Sequence, residues 1–280
     1  MISAADKPKI IGIIFSFIFI FKNFLIKLYT YMDQNKAIKF LYNLSSKLNK
    51  FYKSNSKKKL IINNKSKRKK IFNPVTNFDK SFEKMIRAYI VKSFPNDGII
   101  GEEFKEKKTK NKNYWIIDPI DGTKAFVAGL PTWSNLVGMI YKKKSIIGMA
   151  NFPELKKTYI SYNNTSYILD KNKKKKLKTN SVINFKKTKI LCNFHNQNKN
   201  LKILKKLDKL NKNISRITLD AFSYCLLAEG KLDAVIESNL KIYDVAAIIP
   251  IVENAGGFIT TWNNKNAEKA GNILASSNKK

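Results

Sequence analysis

The chain has 280 residues, of which 44% are hydrophobic and 12% aromatic, and this composition excludes a largely disordered protein. The length suits one large or two modest domains. The single histidine, His195, argues against zinc enzymes with histidine ligands and against Ser-His-Asp hydrolysis. Because Cys192 and Cys225 give neither a disulfide framework nor a metal-ligand spacing, nothing requires an oxidising compartment, and we expect a cytoplasmic protein.

The formal net charge is +34, which is typical of proteins that bind nucleic acid or anionic membranes. Only Arg68, Arg87 and Arg216 are arginine, however, and nucleic-acid sites favour the planar guanidinium group. Because the lysine excess comes with many Asn, Ile and Phe residues, we interpret it as compositional bias and expect no specific nucleic-acid partner. A diffuse positive field would still steer a phosphorylated substrate towards the protein.

Residues 1–31 differ from the rest of the chain because the run 10–21 contains only apolar residues apart from Gly12 and Ser16. This run has about the length of a signal-peptide core and is short for a bilayer span. We therefore expect a mis-assigned start or a dispensable extension, followed from Met32 by an amphipathic helix. A membrane anchor or a secretion signal is the alternative, and the protein would contact a membrane only in that case.

In the next part of the chain, residues 57–70 predict two short strands joined by a solvated turn. The apolar spacing from Phe78 to Ile90 predicts a helix, which ends in the turn 94–98. Residues 99–103 predict a short strand that ends on acids.

The most informative stretch follows at Trp115, where an apolar run predicts a buried strand that ends on Asp118. Pro119 removes a backbone donor, so we expect the strand to stop there. Gly122 permits a tight turn, and Thr123 is expected to cap the helix that follows.

This turn predicts a metal site because Asp118 and Asp121 would both lie at the carboxyl end of the strand. Carboxylate and carbonyl oxygens are the ligands that Mg²⁺ prefers, usually with phosphate completing the shell. The N–H groups of Gly122 and Thr123 could receive that phosphate at the helix start. The alternative for this fragment alone is a solvated turn, since Asp-Pro and Asp-Gly are common turn dipeptides.

The second half begins with an antiparallel meander of strands predicted at 133–141, 145–152 and 158–161. The lysine-rich run 171–178 is interpreted as a solvated loop and a domain boundary. Strands and helices then alternate, which indicates an α/β part of the protein. The strands are predicted at 189–192, 215–219, 234–237, 258–262 and 272–276, and the helices at 201–210, 221–230 and 245–256.

Two further acids lie at the ends of predicted elements. Glu102 ends the strand before the central turn, and Asp244 precedes the helix 245–256. Each acid alone would be a surface residue or a helix cap. Together with Asp118 and Asp121 they form a set that is costly to assemble unless cations neutralise it, so the sequence predicts a divalent-metal site.

The motifs that carry these acids resemble those of the inositol monophosphatase superfamily. They are WIIDPIDGT at 115–123, GEE at 101–103, and YDVAA with ENAGG within 243–257. Residues 74–79 are similar to the upstream motif of that family, with Phe78 where a small residue is more usual. The resemblance extends over about residues 35–276. It implies a Mg²⁺-dependent, lithium-sensitive phosphomonoesterase that forms a homodimer.

The same resemblance implies a fold and a division of the chain. The fold is a layered αβαβα sandwich, with an antiparallel sheet in the N-terminal part and a mixed α/β C-terminal part. We expect a hydrophobic extension (1–31), an N-terminal metal-binding α+β subdomain (32–178) and a C-terminal α/β subdomain (179–280) that completes the active site.

The resemblance also implies metal ligands. Glu102, Asp118 and the carbonyl group of Ile120 would hold one Mg²⁺ ion. Asp118, Asp121 and Asp244 would hold a second ion, and a third, weaker ion would lie beside Glu102.

Further roles follow for the residues around the metal ligands. Thr123, hydrogen-bonded to Asp79, would help to activate the attacking water, which makes Thr123, Asp79 and Glu102 the candidate catalytic residues. The N–H groups of Gly122 and Thr123 would bind the phosphate. The water would attack in line, so no covalent phosphoenzyme is needed.

Within the superfamily, residues 125–133 and Tyr243 look most like the histidinol-phosphatase branch. Asp220, Ala221 and Glu237 would by position line the leaving-group pocket. An acid there suits a cationic leaving group, and histidinol carries an ammonium and an imidazole group. The resemblance thus implies the hydrolysis of histidinol phosphate in histidine biosynthesis.

Three alternatives stay open from the sequence. Glu237 could instead bind a hydroxyl group of inositol 1-phosphate, and a 3′-phosphoadenosine phosphatase is a more distant possibility within the superfamily. Leu219 departs from the glycine expected before Asp220, which leaves that wall of the pocket undefined. From another class, the chain could be a polybasic binder of nucleic acid or membrane surfaces on a phosphatase scaffold.

Overall fold

The computed structural model divides the chain into two compact units, residues 1–42 and 43–280. The hydrophobic extension that we predicted at 1–31 lies outside the described residues. The structure describes residues 35–65, 74–109, 111–171, 173–181, 187–194, 205, 206, 209, 214–217 and 219–279.

The described residues of the first unit, 35–42, are helical. The second unit also begins with helical residues, which form α1 (43–55). The amphipathic helix predicted from Met32 is therefore confirmed over its described part. Among the described residues, no helix combines the length and the apolar character that a bilayer crossing requires.

A two-stranded antiparallel ribbon follows, formed by β1 (Ile62–Asn64) and β2 (Pro74–Thr76). We predicted two short strands joined by a solvated turn within 57–70. In the described part of that segment only β1 is a strand, and its partner is β2 instead.

Helix α2 (Asn77–Ser93) begins with a capping box in which Thr76 and Asp79 exchange hydrogen bonds. Its apolar positions recur at helical spacing, so that Phe82, Ile86 and Ile90 are buried on one face. This face packs against strand β4, which is the strand that carries the predicted metal ligands.

As far as the structure describes the chain, the larger sheet has seven strands in chain order, and only its first pair is parallel. The antiparallel meander that we predicted is confirmed, with an additional strand, β8. The strands are β3 (Gly98–Gly101), β4 (Asn113–Asp121), β5 (Ser134–Tyr141), β6 (Lys144–Phe152), β7 (Lys157–Tyr162), β8 (Thr165–Asp170) and β9 (Lys173–Lys176).

The prediction of a solvated loop over the lysine-rich run 171–178 was wrong. Four of its lysines form β9, which pairs with β8 at the edge of the sheet. All four lysines are exposed. An edge strand needs a partner on one side only, and exposed lysines on its free side oppose pairing with another chain. The sheet therefore extends to the end of the predicted N-terminal part.

In the described residues the smaller sheet has five strands in the order β11-β10-β12-β14-β13. It is mixed, because β10 pairs in parallel with β11 and with β12, whereas β14 pairs antiparallel with β12 and with β13. Strand β11 is shorter than predicted, and most of the helix predicted at 201–210 lies outside the described residues. The strands are β10 (Ile190–Phe194), β11 (Ile214–Ser215), β12 (Ala234–Leu240), β13 (Phe258–Thr261) and β14 (Gly271–Ser276).

The helices that follow α2 in the described residues are short, and two of them replace one predicted helix. They are α3 (Thr123–Val127), which follows β4, α4 (Ala221–Ala228), α5 (Ile242–Val245) and α6 (Ile248–Glu253). The helix predicted at 245–256 is interrupted at Ala246 and Ala247 and begins earlier, so Asp244 lies within its first turn. Pro250 explains the interruption because it has no N–H group to donate to the carbonyl of Ala246.

Helices α4 and α6 lie between the two sheets. Helix α6 packs on β6, β7 and β8 of the large sheet and on β13 of the small sheet, while α4 packs on α6 and β12. The core between them combines Phe152 and Tyr159 from the large sheet, Tyr224 from α4 and Ile273 from the small sheet. This layered α/β sandwich is the fold class that we predicted.

The large sheet approaches the interruption between α5 and α6 at Gly148. A Cβ atom there would lie 1.9 Å from the carbonyl oxygen of Ala247, which is backbone and cannot rotate away. We predict that Gly148→Ala lowers the free energy of unfolding by about 1–3 kcal/mol, the usual cost of overpacking. Urea unfolding measures this cost, with Lys144→Ala at the exposed start of the same strand as the control. Equal midpoints for the two variants would contradict the packing described here.

Candidate metal centre

Strand β4 carries the predicted ligands in a bulged conformation. We predicted that Pro119 ends the strand, but β4 continues to Asp121, and its register with β5 shifts between Asp118 and Asp121. The N–H of Ile120 donates to the Asp118 carboxylate (3.0 Å) instead of to the ladder, and Asn135 donates to the Pro119 carbonyl (2.7 Å). A bulge tolerates a proline because the unpaired residue needs no ladder donor.

Three of the predicted ligands come together. Carboxylate oxygens of Asp118, Asp121 and Asp244 all lie within 4.8 Å of one another, the first two buried and the third half-buried. The Asp121 carboxylate also accepts the N–H of Ala221 (2.9 Å), which ties the start of α4 to the cluster. We call these three residues the acid cluster.

The acid cluster is electrostatically unfavourable without a cation. Burial raises the pKa of Asp118 and of Asp121 well above the ordinary range, and neighbouring carboxylates add to this, chiefly Glu102 for Asp118 and Asp220 for Asp121. Burial, followed by the charge of Glu102, raises the pKa of Asp244 to about 7. Carboxylates held together in this way are a donor set that hard divalent cations such as Mg²⁺ fit.

Glu102 faces the acid cluster but is already paired with a lysine. Its charge raises the pKa of both Asp118 and Asp244, while its own carboxylate accepts from Lys65 Nζ (2.9 Å). Lys65 Nζ also contacts the Glu103 carboxylate. Burial alone would lower the pKa of Lys65, but these two carboxylates raise it above its ordinary value. Lys65 thus places a positive charge beside Glu102, where we predicted a weak third ion.

Thr123 differs from its predicted role as helix cap. Gly122, with φ of 76°, occupies the cap position of α3 and uses the left-handed conformation that glycine tolerates. Thr123 is the first helical residue, and its hydroxyl donates to the Ile120 carbonyl (3.0 Å). Phosphate binding by the N–H groups of Gly122 and Thr123 stays a prediction.

The predicted hydrogen bond between Thr123 and Asp79 is not formed. Asp79 accepts from the hydroxyl (2.6 Å) and the N–H (2.7 Å) of Thr76 through one oxygen. The other oxygen, Oδ1, is buried and has no hydrogen-bond partner in the described part of the chain. Burial raises the pKa of Asp79 to about 6, and the charges of Glu103 and Glu102 contribute to the same direction. An orphaned buried carboxylate oxygen is costly unless water, a hydroxyl or a cation completes it.

The predicted leaving-group residues lie beside the acid cluster. Asp220 has φ of 46° and ψ of −133°, a conformation that L residues rarely adopt, and a Cβ on Gly122 would lie 2.8 Å from its Oδ2. Glu237 is buried, and its two oxygens accept from Asn193 (2.7 Å) and from the Tyr224 hydroxyl (3.0 Å). The charge of Glu237 contributes to the raised pKa of two acids of the cluster.

An aromatic group supports the segment after the metal ligands. Phe126 packs against Trp133 (ring centroids 4.9 Å apart) and against Phe78 (5.5 Å). Tyr52 from α1 packs on Trp133 (5.0 Å). Phe78, which departs from the small residue expected in the family, therefore fills space beside Phe126.

Sequence reasoning did not find Lys65, Tyr224 or Asn193. Lys65 lies in a basic segment in which no pattern distinguishes one lysine from the next. Tyr224 has the spacing of a core residue of α4, and Asn193 lies within the apolar strand β10. Their partners are distant in sequence, so only the fold shows the contacts.

A model described as the inositol monophosphatase family matches residues 33–280. The chain belongs to the inositol monophosphatase family. This is a family of phosphatases that depend on metal ions, typically Mg²⁺.

Individual relatives share about a third or less of their aligned residues with this chain. It is 32% identical over 198 residues to the bifunctional phosphatase IMPL2, chloroplastic, of Arabidopsis thaliana, covering 69% of this chain but only 56% of that relative. It is 28% identical to a histidinol-phosphatase of Mycobacterium tuberculosis, covering 72% and 79% of the two chains. The fold is similar to the crystal structure of the extragenic suppressor protein suhB from Bartonella henselae (TM-score 0.74, 22% identity, 88% and 93% covered).

The raised pKa values predict how stability depends on pH without metal. Because Asp79 (about 6) and Asp244 (about 7) bind protons more tightly in the folded state than in the unfolded state, their stabilising contribution is present below about pH 4 and is lost as the pH rises to about 7. We predict that the free energy of unfolding of Asp244→Asn falls less steeply with rising pH than that of the wild type. The difference in slope is up to about 1.4 kcal/mol per pH unit.

Urea unfolding in EDTA from pH 4 to 8 measures these slopes. The half-exposed Asp170 provides a matched control, since Asp170→Asn leaves the acid cluster intact and should keep the wild-type slope. Identical slopes for wild type and Asp244→Asn would show that the acid cluster is not strained in the metal-free protein.

Proposed function

We propose that this protein is a Mg²⁺-dependent phosphomonoesterase that hydrolyses histidinol phosphate to histidinol and phosphate. The observation that carries the proposal is the acid cluster of Asp118, Asp121 and Asp244, with further carboxylates facing it at the leaving-group side. Membership of a phosphatase family supports the reaction class, and the similarity to a histidinol-phosphatase supports the substrate.

The metal ligands follow from the placement of the acids. Asp118, Asp121 and Asp244 would hold one ion, and Asp118, Glu102 and the Ile120 carbonyl another. When bound, the ions would supply charge neutralisation at the attacking and leaving oxygens of an in-line displacement. Lys65 would complement them as a fixed positive charge beside Glu102.

Asp79 and Thr123 are proposed to handle the proton of the attacking water. Among the residues that the structure describes, none is hydrogen-bonded to the Oδ1 atom of Asp79, which is therefore available to a hydroxyl donor. In the structure the Thr123 hydroxyl donates to the Ile120 carbonyl. In the proposed role this hydroxyl would donate to Asp79 instead, and the Ile120 carbonyl would then be available to a metal ion. A carboxyl group with a pKa of about 6 suits proton transfer near neutral pH.

The proposed substrate rests on the acids of the leaving-group side. Asp220 and Glu237 place two carboxylates near the acid cluster, and each contributes to the raised pKa of Asp121. Charge-assisted hydrogen bonds to these groups would favour the cationic histidinol over a neutral alcohol. Inositol 1-phosphate is the second candidate, because Glu237 already accepts from an amide and from a hydroxyl group, and hydroxyl groups are the donors that inositol would supply.

The reaction is tested by phosphate release from histidinol phosphate and from inositol 1-phosphate, with the full chain and Mg²⁺. We predict a preference for histidinol phosphate and activity at the level of an EDTA-treated sample for Asp118→Asn, because that variant loses a ligand shared by both ions. Undiminished turnover by Asp118→Asn would contradict the metal site. A preference for inositol 1-phosphate would keep the metal site and contradict the substrate.

The role of Glu237 is tested separately with Glu237→Gln, which keeps the shape but removes the charge. We predict that kcat/KM for histidinol phosphate falls by about 10- to 100-fold, since a hydrogen bond to a charged group contributes about 1.5–3 kcal/mol. For inositol 1-phosphate the change should be much smaller. The matched control is Glu229→Gln. The Glu229 carboxylate also accepts from a tyrosine, Tyr159 (2.6 Å), but it lies at the C-terminal end of α4, whereas the N-terminal end contacts the acid cluster. Equal losses for both substrates would exclude charge recognition by Glu237.

A further inference from the structure

Glu83 is a fully buried carboxylate on α2 that sequence analysis did not select. It accepts the N–H of Glu103 (2.7 Å) through Oε2, and the N–H of Phe104 (3.3 Å) through Oε1. The Nε of Arg87, one turn further along the helix, donates to Oε1 (2.7 Å). A helix side chain thus binds the backbone of a distant loop.

The loop in question begins where β3 ends. Ile99 and Lys107 exchange two backbone hydrogen bonds of 2.9 Å and so close the loop at its base. Residues 102–104 inside it belong to no helix or strand. Glu83 supplies acceptors to this turn, and Arg87 Nη2 donates to the Phe104 carbonyl (3.0 Å). Side chains of α2 thus supply hydrogen bonds to backbone groups of the turn that no helix or strand provides.

Gly101 allows the carboxylate of Glu83 to reach the turn. A Cβ atom at this position would lie 2.1 Å from Glu83 Oε1 and 2.5 Å from its carboxyl carbon. The absence of a side chain at Gly101 therefore has a specific reason, the close approach of a buried charged group.

The turn that Glu83 binds carries Glu102. Strand β3 pairs in parallel with β4, with Gly101 opposite Ile117, so Glu102 and Asp118 are the next residues along two neighbouring strands at the same edge of the sheet. Burying Glu83 and Arg87 together adds little net stability in general, because desolvation offsets the attraction of an ion pair. The pair of Glu83 and Arg87 is therefore better explained by its effect on the position of Glu102 than by a contribution to the stability of the fold.

We propose that Glu83 is a positioning residue for the metal centre. Its carboxylate, oriented by Arg87, fixes the backbone of the turn at Glu103 and holds Glu102 against Asp118 for binding a divalent cation. The inference rests on the proposed function and names a residue that contacts neither the acid cluster nor the substrate. Residues that orient metal ligands in this indirect way commonly change metal affinity by 10- to 100-fold when they are substituted.

The test is a calorimetric titration of the metal-free full chain with Mn²⁺, together with phosphate release as a function of Mn²⁺ concentration. In Glu83→Gln, one acceptor oxygen becomes an amide donor that faces the N–H groups of the turn. We expect Mn²⁺ affinity to fall by about tenfold at the site that includes Glu102. At saturating Mn²⁺, kcat should stay within about twofold of the wild type.

The matched control is Glu268→Gln. Glu268 also accepts a backbone N–H, that of Ser145 (3.0 Å), in another part of the chain. Its substitution should leave the Mn²⁺ affinity unchanged. If Glu83→Gln does not fold, Gly101→Ala replaces it, because the added Cβ displaces the same carboxylate and should weaken Mn²⁺ binding in the same way.

Wild-type Mn²⁺ affinity in the folded Glu83 or Gly101 variant would overturn the positioning role, even if its melting temperature fell. In that case the wild type would still bind Mn²⁺ and release phosphate, so the proposed function would stand. Failure of the wild type to bind Mn²⁺ and to release phosphate would overturn the proposed function and the positioning role with it.

Discussion

The mutual repulsion of buried carboxylates is the constraint on which the centre of this protein depends. Asp118, Asp121 and Asp244 are held within 4.8 Å of one another, and burial raises the pKa of each. A folded chain keeps such groups together only where the surrounding packing fixes them. The bulged end of β4 and the first turn of α5 do so here, and a divalent cation would turn the repulsion into attraction.

Helix α2 connects the fold to this centre through two acids on one face. Asp79 and Glu83 are four residues apart and therefore neighbours on the helix surface. Asp79 completes the capping box, and no described residue donates a hydrogen bond to its second oxygen. Glu83 binds the turn that carries Glu102. The packing of this helix on β4 thus also holds both acids beside the strand that carries Asp118.

Much of this arrangement could be predicted from local sequence, and the failures have a common cause. The apolar run before Asp118, the alternating strands of the meander and the helix from Phe78 are encoded by short-range patterns, and the structure confirms them. The passage of β4 through Pro119, and the pairing of the lysine strand β9, depend on a neighbouring strand that supplies the missing partner. The partners of Thr123 and Lys65 likewise become visible only in the folded chain.

The central claim is that the acid cluster binds divalent cations that take part in phosphate release. Diffraction from crystals soaked with Mn²⁺ and phosphate, recorded at the manganese absorption edge, tests it most directly. The account predicts one anomalous peak among Asp118, Asp121 and Asp244, and a second between Asp118 and Glu102, with phosphate beside them. Full manganese saturation without a peak at these carboxylates would contradict it.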